Sequence, residues 1–392
     1  MSKLLLNKKV RDLLLGLVLL SAALALVAWP QESMEAARSG LRLCYNVIIP
    51  SLFPFFVLSS LVVDLGLAGY LGRALEVVMR PLFNVPGSCA AALALGFVGG
   101  YPVGARTAIA LYENGQCTKT EAERLLAFCN NSGPAFIFGV VGAGVFASSR
   151  AGLLLYLAHA AASLCVGILF RFYKRGKGEG GSGRMVFQSK RLGAAFTDCV
   201  KSSFSGTLNI CAFVVFFTVV IQMLSVSGVL PALAGGMGAL LSPLGMTEQW
   251  GVRLLTGILE VSSGVCSLAG GEGLPGRLSM AAFMLGWAGI SVHCQVLSFL
   301  GGSGLSVRTY LTGKLLHGGL SALFVWGLTR IVSFDAQASV YLTEQVKGIA
   351  SLDFSTALRT STVAAWLVWL LFFTAAALIL RKSSGKGAKR VV

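Results

Sequence analysis

Long apolar runs alternate with short polar or basic stretches along the whole chain, and the informative positions are those where a run is interrupted. From Thr120 to Phe146 the pattern predicts a membrane helix that breaks at Phe128-Cys129-Asn130-Asn131-Ser132-Gly133-Pro134-Ala135-Phe136. Pro134 has no N–H and clashes with the carbonyl one turn back, so the helix is expected to end near Asn130 and restart at Pro134. The restart leaves unpaired N–H groups and a helix dipole inside the bilayer. Irregular backbone at that depth is tolerated only where it is packed in protein or lines a wet cavity.

The other segments fall around this break. Leu13 to Trp29 reads as a retained transmembrane helix, although the positive tail and Ala23-Leu24-Ala25 also resemble a signal peptide. Met34 to Ile48 alternates apolar and polar residues at helical spacing and is expected to lie along the interface. Pro50 to Gly66 is a span with a kink at Pro54, and a loop carrying Arg73 and Arg80 follows. Ser88 to Tyr112 is too short for two full crossings. Its centre, Gly96-Phe97-Val98-Gly99-Gly100-Tyr101-Pro102-Val103-Gly104, predicts a re-entrant hairpin, with a single helix kinked at Pro102 as the alternative. Gly152 to Phe172 is the next full crossing.

After a basic, glycine-rich linker at 174–191 the same order returns: an interfacial segment (Ala194 to Ser205), a span (Leu208 to Leu224), and a glycine-rich connection with Pro243. A second hairpin follows within Leu254 to Ala269, centred on Gly257-Ile258-Leu259-Glu260-Val261-Ser262-Ser263-Gly264. A second broken span, Met280 to Leu300, is centred on Gly286-Trp287-Ala288-Gly289-Ile290-Ser291-Val292-His293-Cys294-Gln295. His317 and Ser321 then repeat the spacing of His159 and Ser163. The fold class is therefore an all-α polytopic membrane protein built from two repeats. The divisions are an N-terminal transmembrane helix at 1–33, repeat 1 at 34–173, the linker at 174–191, repeat 2 at 192–331, an extracytoplasmic loop at 332–361, and a last helix with a basic tail at 362–392. Hairpins that do not cross leave an odd number of crossings per repeat, so the second copy is expected upside down, with about eight full crossings in all. With cytoplasmic N and C termini the basic loops at Lys119 and Arg124, at Arg171 to Arg191 and at Arg381 to Arg390 fall inside, whereas Arg38, Arg42, Arg150, Arg253 and Arg277 fall outside against the rule.

Composition agrees with the pattern. The chain has 392 residues, 55% hydrophobic and 12% charged, which excludes an ordinary soluble protein. The net charge of +16 sits in clusters beside apolar spans, so it marks membrane orientation and gives no reason to expect nucleic acid as a partner. Nine cysteines without a C-x-x-C pair read as small buried hydrophobes. The three histidines fall in separate helices without a carboxylate at ligand spacing, so no metal and no cofactor are expected.

Inverted repeats with interrupted helices are the architecture of secondary transporters, whose sites form at mid-membrane where half-helix ends meet. The expected substrate site draws Gly99, Gly100 and Tyr101 from the first hairpin, Asn130, Asn131 and Ser132 from the first break, Ser262 and Ser263 from the second hairpin, and Gly289, Ser291, His293 and Gln295 from the second break. Glu260 is an acid within an apolar arm, either functional or a cap or partner for Arg253 or Arg277. Arg106 is either a bidentate donor to an anion or a snorkelling side chain. His159 and His317, with their serines, are expected to tie helices together. Gly180-Gly181-Ser182-Gly183 and Gly301-Gly302-Ser303-Gly304 match a hydrolase pattern but lie in expected loops, so no enzyme is read.

Pro50-Ser51-Leu52-Phe53-Pro54-Phe55, the Gly96 to Ala105 stretch and the Phe128 to Phe136 stretch together resemble the YlbJ (SpoVV) family of sporulation integral membrane proteins, which carry the nucleoside-recognition or Gate domain. The resemblance covers essentially the whole chain. It implies transport of dipicolinic acid, a small anion, from the mother cell across the outer forespore membrane, with the protein as a multi-pass component of that or the cell membrane. The wider group, similar in its hairpins and interrupted helices to concentrative nucleoside transporters, implies a nucleoside or another small molecule as the alternative. A non-transporting scaffold for sporulation factors is the reading from a different class, and a homo-oligomer is left open.

Overall fold

The computed structural model describes residues 8–65, 67–174, 192–242, 247–270 and 273–331. Most of the linker, the 332–361 loop, the last helix and its basic tail, Gly180 to Gly183 and Pro243 lie outside the described residues.

Among the described residues the chain is helical throughout. Helix α1 (Lys8–Ala28) ends at a sharp bend, and α2 (Pro30–Leu43) begins with proline at its first position. A π-helical turn, Cys44–Ile48, joins α2 to α3 (Ile49–Asp64) without leaving helical backbone. The stretch expected at the interface is thus the first half of a long bent helix. It packs along α9 (Leu192–Val226), whose 35 residues likewise merge an expected interfacial segment with the following span. Tertiary packing explains the merger: Gly40 lets α2 approach the backbone at Val215 of α9, and this contact replaces water or lipid on the apolar face. The connection expected as a loop around Arg73 and Arg80 is instead α4 (Leu67–Phe83), and the glycine-rich connection before Pro243 contains α10 (Val229–Leu241).

The first hairpin is α5 (Ala90–Gly99) and α6 (Val103–Glu113), which pack together around a tip at Gly100 to Pro102. The stretch expected as the first broken span consists of α7 (Lys119–Leu126), a non-helical stretch, and a π-helical arm, Ala135–Val145. A reciprocal cap between Thr118 and Glu121 starts α7. The helix ends at Leu126, earlier than the expected stop near Asn130, and Pro134 opens the restart as expected. Helix α8 (Ser149–Phe170) closes the first half.

In the second half, α11 (Glu248–Leu259) and α12 (Val261–Cys266) form the second hairpin. Helices α13 (Leu274–Trp287) and α14 (Gly289–Leu300) form the second broken span, and α15 (Val307–Leu328) closes the half. Helices α8 and α15 are both 22 residues long, and each begins at a serine, Ser148 or Ser306, whose hydroxyl accepts a backbone N–H in the first turn. The order of elements thus repeats. Among the described residues three helices are long and apolar enough to cross a membrane, or up to five if each sharply bent pair is one span. Helix α1 exposes Leu13, Leu17, Leu20, Leu24 and Val27, as a lipid-facing helix should.

One end of α7 is held by a polar network. Arg124 is buried and donates through Nη1 to Asn84 O at 2.8 Å, and through Nε and Nη2 to Tyr173 O at 3.0 and 2.8 Å. Glu123 accepts from Lys174 Nζ, from the Tyr173 hydroxyl, and from Ser306 N across the two halves. Arg124→Ala leaves two partly buried carbonyls without these charge-assisted donors, and is expected to destabilise the protein by about 2 kcal/mol or more. Thermal unfolding in detergent measures this; a variant that unfolds with the wild type would show that the network carries no stability.

Candidate functional site

Close backbone packing builds the first half of the site. The Cys129 carbonyl oxygen, at the end of the α7 turn, sits in a cradle made by Gly96 and Gly104 on the two arms of the first hairpin. A Cβ on Gly96 would lie 2.0 Å from that oxygen, and one on Gly104 at 1.9 Å. At the tip, Gly100 takes a positive φ of 78° and meets the backbone of Gly133, where a Cβ would lie 2.9 Å from Gly133 N. The hairpin tip and the break are therefore one packed unit.

The break also frees backbone groups that must find partners away from water. Phe128 O accepts from Ser163 Oγ at 2.7 Å and from Asn131 Nδ2 at 3.1 Å. Asn130 O accepts from Lys314 Nζ at 2.7 Å, and Ser132 N donates to His159 Nε2 at 3.0 Å. Side chains of α8 and α15 thus take over the role of the missing helical turn.

The second half uses the same device with different chemistry. Gly257 and Gly264 bring the arms of the second hairpin together, and Met284 of α13 packs on them. Ala288 and Gly289, with φ of 76° and 81°, make the left-handed break between α13 and α14, and Gly289 lies against the backbone of Leu259, Glu260 and Val261. Glu260, 2% exposed, sits between α11 and α12 and accepts from Ser262 N at 3.0 Å and Ser263 N at 2.7 Å. The Glu260 side chain is thus a helix cap, while Arg277 turns away to donate to Leu268 O.

The halves meet where α8 faces α15. The rings of His159 and His317 are 4.3 Å apart, and His317 Nε2 lies 2.9 Å from His159 O. The Tyr310 hydroxyl of α15 accepts from Asn130 Nδ2 at 3.2 Å and lies 3.0 Å from His293 Nδ1, so it links both breaks. Tyr101 reaches from the first hairpin tip to the side of Ser132. Among the described residues Asn130 Oδ1, Asn131 Oδ1 and His293 Nε2 of this group have no hydrogen-bond partner, and Tyr101 OH and Ser132 Oγ have none beyond each other. Buried polar atoms are nearly always paired, and several unpaired in one place suit a surface that receives a ligand.

Not every expected residue joins this group. Arg106 points to α9, donates to Ser202 Oγ and stacks over Phe56, with Gly206 close to its guanidinium. Gln295 and Ser291 are paired with each other on α14, where Ser298 donates to Gln295 O and accepts from Asn209 of α9. Ser262 and Ser263 contribute backbone N–H groups to Glu260. Two residues went unnoticed in the sequence, Tyr310 and Lys314. Lys314 had a usable signal, since a lysine within a mostly apolar helical stretch of a membrane protein is a functional candidate on cost alone. Among the described residues no group of three or more His, Cys, Asp or Glu is placed to hold a metal ion.

The family model described as Gate, nucleoside recognition, matches residues 46–170, from the π-helical turn through the first hairpin and the first break to the end of α8. The chain is 31% identical over 371 residues to the sporulation integral membrane protein YlbJ of Bacillus subtilis (strain 168), covering 89% of this chain and 90% of that protein. It belongs to the YlbJ family. The protein is accordingly an integral membrane protein with a Gate domain, and the alignment reaches well beyond the matched domain into the second half of the chain. No solved structure matches it.

Proposed function

We propose that this protein transports a small anionic metabolite, dipicolinic acid, across the outer forespore membrane during sporulation. The observation that carries the reading is the pairing, in each half, of a hairpin tip with a break in an apolar span, with unpartnered polar atoms gathered where the two breaks meet. Membership of a sporulation family supports the setting, and the resemblance noted from the sequence supplies the substrate. The two halves act as repeats of opposite topology in a protein with about eight crossings and both termini in the cytoplasm, and they rock about the site between α8 and α15. At this interface Gly313 of α15 lies against the backbone of Ala127 just after α7, while Gly286 of α13 against Gly318 of α15 ties two helices together within the second half.

A nucleoside is the second substrate reading, and the Gate description of residues 46–170 favours it. Purified protein in liposomes separates the two. Saturable dipicolinate flux, not competed by nucleosides, is the expected result. Nucleoside flux without dipicolinate flux would move the assignment to the second substrate, and silence toward both from folded protein would favour a sporulation scaffold.

A further inference from the structure

A dianion entering this site needs positive charge, and the sequence offers several sources. The structure withdraws most of them. Arg106 is directed at α9. The N-terminus of α12 is already occupied by the carboxylate of Glu260. What stands at the meeting of the breaks is Lys314, 0% exposed, on the helix that also carries Tyr310 and His317. Its ammonium donates to Asn130 O at 2.7 Å and lies 3.2 Å from His317 Nδ1. One partner is a backbone carbonyl and the other an imidazole nitrogen, and among the described residues no carboxylate pairs with it. An ammonium has three donors, and a charge in this setting is costly to keep without a counter-charge.

If Lys314 served only to hold the Asn130 carbonyl, a neutral donor would do so at lower cost. A lysine is the better choice where a negative charge arrives and leaves. Ser132 Oγ and Tyr101 OH, which have no partner among the described residues beyond each other, belong to the same break and its hairpin tip, and these two hydroxyls can add donors to a carboxylate.

We propose that Lys314 is the charge-recognition residue of the site, binding a carboxylate of a small planar anion when the two halves part. This rests on the transport reading above and extends it to one residue and one chemical class. The Asn130 carbonyl holds the ammonium in place between binding events.

The test uses the purified full-length protein and three probes of one shape and falling charge: pyridine-2,6-dicarboxylate, pyridine-2-carboxylate and pyridine-2-carboxamide. Wild-type affinity is expected to fall along the series. Lys314→Gln is expected to weaken dicarboxylate binding at least about tenfold and to level the series, because a charge-assisted bond is lost. Lys314→Arg should keep the order. A purely structural role would lower affinity for all three probes together, and that result overturns the proposal. Lys314→Gln that binds the dicarboxylate as the wild type does overturns it too, while leaving the transport reading intact. A wild-type protein that binds none of the three overturns both. If Lys314→Gln does not fold, amine-directed acylation of Lys314 in the wild-type chain, read by peptide mass, decides instead. Protection by the dicarboxylate and not by the carboxamide supports the proposal; equal labelling with all three probes overturns it.

Discussion

Replacing Asn130 and Asn131 together by alanine is expected to abolish dipicolinate flux in liposomes while leaving a folded protein in the membrane. The separation follows from which atoms do what. The break is held through backbone atoms: Asn130 O by Lys314, Ser132 N by His159, and Phe128 O by Ser163. All three contacts survive the double substitution. What disappears is the amide link from Asn130 to the Tyr310 hydroxyl, one of two bonds to Phe128 O, and two unpartnered carbonyl oxygens. Turning an amide to face the substrate with its N–H₂ supplies donors that alanine cannot. Two hydrogen bonds to an anion, at about 1.5 kcal/mol or more each, correspond to roughly a hundredfold loss. Flux at the wild-type rate from the double variant would remove the first break from the site.

Gly104→Ala is expected to be the most damaging single methyl among the described glycines, with Gly96→Ala close behind. Each added Cβ would fall about 2 Å from the Cys129 carbonyl oxygen, well inside any tolerated contact. The obstacle is backbone on both sides, so no rotamer change relieves it. Either the hairpin arms part or the α7 turn moves, and both lose the packing of the tip on the break. Overpacking of this kind costs about 3 kcal/mol or more. Gly235→Ala and Gly236→Ala on α10 are the matched controls, because a Cβ at either meets nothing within 4 Å. These two should be neutral or slightly stabilising through helix propensity. Detergent unfolding curves and membrane yield measure the series; a Gly104→Ala protein as stable as the controls would show that the cradle is looser than described.

The contrast between these two experiments reflects how the site is made. Its shape rests on glycines and backbone carbonyls, and its chemistry on a few side chains projecting from that frame. A substitution in the frame should cost stability first and transport second. The order reverses for Asn130, Asn131 and Lys314, whose side chains offer the polar contacts that a small anion can use.

Much of the fold could be read from local pattern. Pro134, Gly133 and the polar run before them mark a break because proline and glycine act on the residues next to them, whatever the tertiary setting. The same holds for the tips at Gly100 to Pro102 and at Glu260, and the spacing of His159 and Ser163 against His317 and Ser321 identifies corresponding helices of equal length. Local pattern misjudged the connections. Leu67–Phe83 and Val229–Leu241 were read as loops because arginine, proline and glycine weaken the helical signal, yet packing supplies the stability that propensity lacks. The interfacial stretches before each long span likewise merge into helices once Gly40 seats α2 on α9.

The sequence by itself determined that this is a helical membrane protein whose helices are interrupted at Asn130 to Pro134 and at Ala288 to Gly289, since hydropathy and chain-breaking residues act over a few neighbours. Only the tertiary structure decided which polar groups face the meeting of the breaks. It turned Arg106 toward α9, closed Glu260 onto the backbone of Ser262 and Ser263, and brought Lys314 and Tyr310, more than 170 residues away in sequence, onto Asn130. The direction of a side chain on a buried helix is set by what packs against it, and those partners come from the other half of the chain.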